Sequence, residues 1–123
     1  MNELDAITQR IRAFRDARDW KKFHNPKNLA CSISIESAKL LEHFQWKTPE
    51  ESTAYAVSKR DALSEEIADV GIYLITLADN LGIDLFDAVE RKLAINDEKY
   101  PVEKAKGSAL KYTEFLENKG SRQ

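Results

Sequence analysis

The sequence predicts an all-α fold, a four-helix bundle with short connections. Three observations carry this reading. Apolar residues recur at three- and four-residue steps in four separate stretches. No stretch shows the alternation bounded by turn residues that a strand requires. With 4 Gly and 3 Pro in 123 residues, little material is left for a loop-rich fold.

The first helix is read from Leu4, Ile7, Ile11 and Phe14, which recur on one face and leave Arg10, Arg12, Arg15, Asp16 and Arg18 for the other. A break follows at Phe23-His24-Asn25-Pro26, where Asn25 suits a helix cap and Pro26 a first turn that needs no N–H. The second helix then carries Leu29, Ile33, Leu40 and Phe44. The position completing that spacing is Glu36, so an acid falls in the buried seam. Thr48, Pro49 and Glu51 form a capping-box start for a short helix over Glu50 to Ala56.

From about Ser58 the pattern continues through Leu63, Ile67, Val70, Leu74, Leu77 and Leu81. It is apolar nearly all round between Val70 and Leu77, which predicts the most buried helix. Gly71 to Thr76 has β-propensity, but helical spacing continues on both sides and decides the assignment. Gly82 suits a helix C-terminus and Asp84 the next cap; Leu85, Val89, Leu93, Asn96 and Tyr100 form the last stripe, which Pro101 ends. Val102 to Gln123, anchored by Leu110, Phe115 and Leu116, reads as a short arm whose end, about 114–123, is expected to be mobile. The whole of 1–123 is expected to form one domain.

Lys plus Arg total 19 and Asp plus Glu 21, a net charge of −2, which gives no basic excess to grip a phosphate backbone and argues against nucleic acid as a partner. The single cysteine, Cys31, cannot form an internal disulfide and reads as a small buried side chain in a reducing compartment. Met1 to Asp5 lacks the basic start of a signal peptide. No run approaches the roughly 18 apolar residues of a membrane span, so the expected location is cytoplasmic. There is no Gly-rich phosphate loop, and His43 beside Glu42 does not form the paired Glu-x-x-His of a di-iron bundle.

Carboxylates on the inner side of a helix are the informative feature, because desolvating an unpaired charge is costly unless a cation compensates it. Glu66 and Asp69 lie three apart and project from one face; Glu36 is the natural third acid if the second helix faces theirs. Glu65 points about 100° away from Glu66 and belongs to solvent or a cap. Oxygen-only ligands favour Mg²⁺, or Mn²⁺, and leave positions for substrate phosphates. Lys92, Asn96 and Lys99 share a face of the last helix and could meet a phosphate chain. Trp20, Phe23, Trp46, Tyr73 and Tyr100, with His24, could stack on a nucleobase. Taken alone, each pattern also fits a solvated helix face or a packed core.

At this point the chain resembles a known family, the all-α nucleoside triphosphate pyrophosphohydrolases of the MazG-like superfamily, and within it the dCTP pyrophosphatase branch. The resemblance rests on Arg18-Asp19-Trp20, Phe23-His24-Asn25-Pro26-Lys27-Asn28-Leu29, Leu41-Glu42-His43-Phe44-Gln45-Trp46-Lys47 and Glu65-Glu66-Ile67-Ala68-Asp69-Val70. It continues through Ile72-Tyr73-Leu74, Asp84-Leu85, Lys92, Asn96, Lys99-Tyr100-Pro101 and Gly107 to Thr113. It implies an all-α homodimer or homotetramer that uses Mg²⁺ to convert a (deoxy)nucleoside triphosphate to monophosphate and pyrophosphate.

The family motif, Glu-x-x-Glu followed by Glu-x-x-Asp, aligns with Glu36, Lys39, Glu66 and Asp69. Three of four metal acids are therefore present, and Lys39 stands where the fourth would be, close enough to pair with Glu36. Glu42 does not replace it, since six residues are about 240° around a helix. The resemblance further implies that Trp20, His24, Trp46 and Tyr73 line the base and sugar pocket, and that Lys92, Asn96, Lys99 and Tyr100 hold the triphosphate. Three readings are open at this point: a pyrophosphohydrolase acting on dCTP or a modified pyrimidine nucleotide, a nucleotide-binding protein weakened by Lys39, and a structural helical oligomerisation module.

Overall fold

The computed structural model describes residues 1–109, and every regular element among them is helical. In chain order these are α1 (Glu3–Ala17), a single 3-10 turn (Lys21–Phe23), α2 (Pro26–Glu42), α3 (Pro49–Ser58), α4 (Arg60–Asn80), α5 (Leu85–Lys99) and α6 (Val102–Ala105). The four main helices of the sequence reading are α1, α2, α4 and α5, and the short helix after Thr48 is α3. Leu110, Phe115, Leu116 and the tail lie outside the described residues. The chain divides into two units, Met1–Asp84 and Leu85 onwards. Within the first, α4 is central: it packs along α2 and touches α1 and α3.

The caps at Asn25, Thr48 and Gly82 follow the sequence. Asn25 Oδ1 accepts from the Asn28 N–H at 2.9 Å with Pro26 opening α2, and Thr48 and Glu51 form a reciprocal capping box on α3. Gly82 ends α4 with φ +68°, a left-handed conformation that lets the Ile83 N–H reach the Ala78 carbonyl at 2.8 Å. The same turn closes α1, but with Asp19 at the left-handed position (φ 55°): the Asp19 N–H bonds Asp16 O and the Trp20 N–H bonds Arg15 O, both at 3.1 Å. Trp20 is thereby fixed immediately after the reversal. At the α2–α3 corner His43 Nδ1 and the Tyr55 hydroxyl are 2.6 Å apart, and Lys47 sits over the Tyr55 ring.

The α2 stripe is as expected: Leu29 is 1% exposed, and Ile33, Glu36, Leu40 and Phe44 are half-buried. Four other expectations need correction. On α4 the inward seam is Leu63, Glu66, Val70, Tyr73 and Leu77, whereas Ile67, Leu74 and Leu81 are exposed. A helix apolar almost all round does not itself select which stripe meets its neighbour. α4 nonetheless holds three of the four buried residues among those described, Leu63, Thr76 and Ala78.

On α1 the inward face is Leu4, Thr8, Ile11 and Arg15. Ile7 and Phe14 are exposed and, with Ile11 and Ile72, line a shallow apolar cavity of about 250 Å³. On α5 Leu85, Asn96 and Tyr100 are half-buried, but Val89 and Leu93 are exposed. Cys31, expected inside, is also exposed, because on α2 it lies two residues, about 200° around, from both Leu29 and Ile33.

Candidate active site

Glu36 reaches the site from α2, and Glu66 and Asp69 reach it from α4. One carboxylate oxygen from each lies within 4.8 Å of the other two. Glu36 and Glu66 are half-buried and Asp69 is exposed. Glu36 Oε2 and Glu66 Oε2 are shielded from solvent and have no hydrogen-bond partner among the described residues. An ionised oxygen in that state loses the hydration it has in water and gains nothing in return. Three carboxylates with oxygens at this separation, two of which also carry a buried unsatisfied oxygen, fit a divalent cation of the Mg²⁺ or Mn²⁺ type.

Lys39 is adjacent to this group. Its Nζ donates to Glu36 Oε1 at 3.2 Å, with the Glu36 side chain 12% exposed and Lys39 half in solvent. The hydrogen bond to Glu36, and then the charges of Glu36, Glu66 and Asp69, hold the ammonium protonated above its ordinary range. The i,i+3 pairing expected from the sequence is present. Glu42 and Glu65 are exposed and stand outside the acid cluster.

One turn beyond Asp69 on α4, Tyr73 faces a cavity of about 320 Å³ lined also by Trp20, Phe23, His24, Asn28, Leu29 and Ser32. The reversal at Asp19 delivers Trp20 to this cavity, and Phe14 holds it edge-on at 5.8 Å between ring centroids. Asn28 Nδ2 donates to Phe23 O at 3.0 Å, tying the 3-10 turn to α2. The His24 backbone is tied to α4 by Asn80 Nδ2, 3.3 Å from its carbonyl. His24 Nδ1 is buried and has no partner among the described residues. Burial, and then the nearby Arg15 charge, push its pKa down and keep the imidazole neutral near pH 7.

A second cavity, of about 500 Å³, adjoins the first at His24 and is lined by Arg12, Arg15, Lys21, Thr76, Asp79 and Asn80. Arg12 and Asp79 form a two-pronged ion pair linking α1 to α4, with Nε donating to Oδ2 at 2.8 Å and Nη2 to Oδ1. The Arg12 hydrogen bond holds the Asp79 carboxyl below the ordinary carboxylate range. Arg15 has only 14% of its side chain exposed and donates from Nε to Asp16. Arg12 is exposed, as the sequence predicts, and reaches Asp79 on α4 from there, whereas Arg15, predicted on the same solvated face, is turned to the inward face of α1.

Of the residues assigned to a base pocket, Trp20, His24 and Tyr73 meet in one cavity. Trp46 does not line it: it is 87% exposed in the turn after α2. Lys92, Asn96, Lys99 and Tyr100 belong to the second unit, where Asn96, Lys99 and Tyr100 are half-buried and Lys92 is exposed. Two lining residues, Asn28 and Ser32, escaped the sequence reading. Their signal was available, since 28, 32 and 36 follow at four-residue steps and share the face of Glu36. Arg12, Arg15 and Lys21 had no local signal.

Residues 31–115 match the MazG-like family. Proteins described as dCTP pyrophosphatase 1 from Bos taurus, Mus musculus and Homo sapiens are each 42% identical to this chain over 114 residues. Those residues are 91% of this chain and 68%, 67% and 67% of theirs, respectively. The crystal structure of a pyrophosphatase from Archaeoglobus fulgidus superimposes with a TM-score of 0.79 at 45% identity, over 82% of this chain and 94% of that one.

Proposed function

Because this chain belongs to the MazG-like family, we propose that it is a nucleoside triphosphate pyrophosphohydrolase that releases a monophosphate and pyrophosphate. We propose as its substrate dCTP or a modified pyrimidine nucleotide, and as its cofactor Mg²⁺, with Mn²⁺ able to replace it. The observation that carries the reading is the cluster of Glu36, Glu66 and Asp69, with two buried unsatisfied oxygens, one helical turn from an aromatic cavity.

In this reading Glu36, Glu66 and Asp69 hold the cation. When bound it supplies charge neutralisation at the phosphates and a water acidic enough to attack near neutral pH. Water attacks the α-phosphorus, the bond to the bridging oxygen breaks, and pyrophosphate leaves. Lys39 holds Oε1 of Glu36 and leaves Oε2 for the cation, and the proton of the attacking water is released to solvent. Trp20 and Tyr73 offer faces for base stacking, an interaction of about 1–3 kcal/mol per base. His24 offers a neutral ring nitrogen, and Asn28 and Ser32 offer polar groups to the base or sugar. Lys92, Asn96, Lys99 and Tyr100 are assigned to the triphosphate.

The exposed Ile67, Leu74 and Leu93 support assembly as a homodimer or homotetramer. No helix among the described residues is long and apolar enough to cross a membrane. With a net charge of −2, this supports a cytoplasmic enzyme that takes no nucleic acid.

The test is incubation with Mg²⁺ and a panel of ribo- and deoxynucleoside triphosphates, products being resolved by ion exchange. Monophosphate and pyrophosphate should form in the parent and not in Glu66→Gln; failure with every nucleotide and both metals would refute the enzyme. The Lys39–Glu36 pair favours one second reading, a protein that binds nucleotide without cleaving it. Calorimetric binding with no monophosphate formed would select it.

A further inference from the structure

The cavity beyond His24 has no task in the reaction described. Its position relative to the acids is set by α4, which carries Glu66 and Asp69, then Tyr73, then Thr76 and Asp79 in that order. At about 1.5 Å rise and 100° per residue, Asp69 lies about 6 Å along the axis on one side of Tyr73 and about 40° around from it, and Thr76 about 4.5 Å on the other side and about 60° around. A nucleotide with phosphates at the acids and its ring against Tyr73 therefore turns the base edge remote from the sugar toward this second cavity. His24 lines both spaces, so the two adjoin at this residue.

Charge makes that second space selective. Of its three cations, Arg12 is matched by Asp79. The ion pair of Arg15 to Asp16 occupies Nε and leaves the guanidinium's other edge for a ligand. Lys21 has no ion pair among those formed by the described residues. A half-buried guanidinium with a planar donor edge, beside an ammonium, is suited to a carboxylate more than to the neutral amino group of cytosine.

We propose that this cavity is a specificity subsite for a nucleotide whose base carries an anionic oxygen substituent on the edge remote from the sugar, received by Arg15 and Lys21. A 5-carboxypyrimidine is the simplest such base. The proposal rests on the pyrophosphohydrolase reading for the direction in which the nucleotide lies. It narrows that reading to substrates whose base is itself charged.

The test uses nucleosides, which have no phosphate to confuse the result. The full chain is titrated with deoxycytidine and with 5-carboxydeoxycytidine at low ionic strength, binding being followed by tryptophan fluorescence. The carboxylated nucleoside should bind about tenfold or more tightly. Lys21→Ala, at an exposed position, should reduce that ratio several-fold with an unchanged circular dichroism spectrum. Arg15→Gln should reduce it further. Equal affinities, or a ratio unmoved by Lys21→Ala, overturn the proposal.

Displacement of the carboxylated nucleoside by pyrophosphate in metal-free buffer also overturns it and gives the cavity to phosphates. Binding of neither nucleoside removes the base cavity along with it. Monophosphate formation from dCTP, measured in parallel, reports on the pyrophosphohydrolase reading whichever nucleoside result is obtained.

Discussion

Replacing Glu66 by Gln should make the metal-free protein more stable while abolishing its response to magnesium. The three carboxylate oxygens lie within 4.8 Å of one another. At that separation two unit charges repel by about 0.9 kcal/mol in a water-like dielectric and about 3.5 kcal/mol at an effective value near 20. Glu66 takes part in two of the three repulsive pairs. Asp69 is exposed and Lys39 offsets part of the charge on Glu36, so the low end applies and the gain is about 1–2 kcal/mol. For a chain of this length that is roughly 3–10 °C in Tm.

Magnesium should reverse the order. The parent gains about 2.7 kcal/mol when the ion is at about 100 times its Kd, and the variant gains little. Thermal melts in EDTA and in rising Mg²⁺ measure both. A variant that melts below the parent in EDTA, with a parent indifferent to Mg²⁺, would show that Glu66 is a structural acid with no part in holding a metal.

Lys39→Glu places a fourth acid beside Glu36 and removes the ammonium; Mn²⁺ binding followed by electron paramagnetic resonance should tighten about tenfold or more, since affinity follows ligand charge. The Arg12–Asp79 pair gives a pH signature. The Asp79 carboxyl is held below its unfolded value of about 3.9, so the pair's contribution is complete above about pH 4 and is lost as pH falls through the depressed folded value. Denaturation between about pH 5 and 2 should therefore show the parent losing more stability than Asp79→Asn. Leu29→Ala, at a side chain 1% exposed beside an existing cavity, should cost about 2–5 kcal/mol in urea unfolding, because the wall cannot collapse to fill the space.

The sequence made the α2 side of the site readable because large apolar residues recur at helical spacing along one face of that helix. With Leu29, Ile33, Leu40 and Phe44 fixing the seam, Glu36 could lie only within it. α4 was legible as a helix but not in rotation. Its apolar residues surround the axis, so Ile67 and Leu74 competed equally with Glu66 and Tyr73 for the inward face, and packing against α2 decided the matter. Arg12 and Asp79 are 67 residues apart, and nothing local to either announces the other. Trp46 illustrates the converse: a motif can name a residue, but where its ring goes depends on the turn after α2.

The unbroken 21 residues of α4 have a consequence for turnover. In the proposed reading an intact nucleotide grips one stiff rod at two places, the base near Tyr73 and the phosphates near Asp69, and so behaves as a bivalent ligand. Each hold raises the effective concentration of the other, and overall avidity can exceed either affinity by orders of magnitude without new contacts. Scission of the bond between the α- and β-phosphates cuts the tether. Pyrophosphate is then left with one hold and the monophosphate with the other, each free to leave at the rate of a weak monovalent binder. Chemistry thus converts a tenacious complex into two loose ones, and tight capture of a scarce nucleotide need not slow the departure of its products.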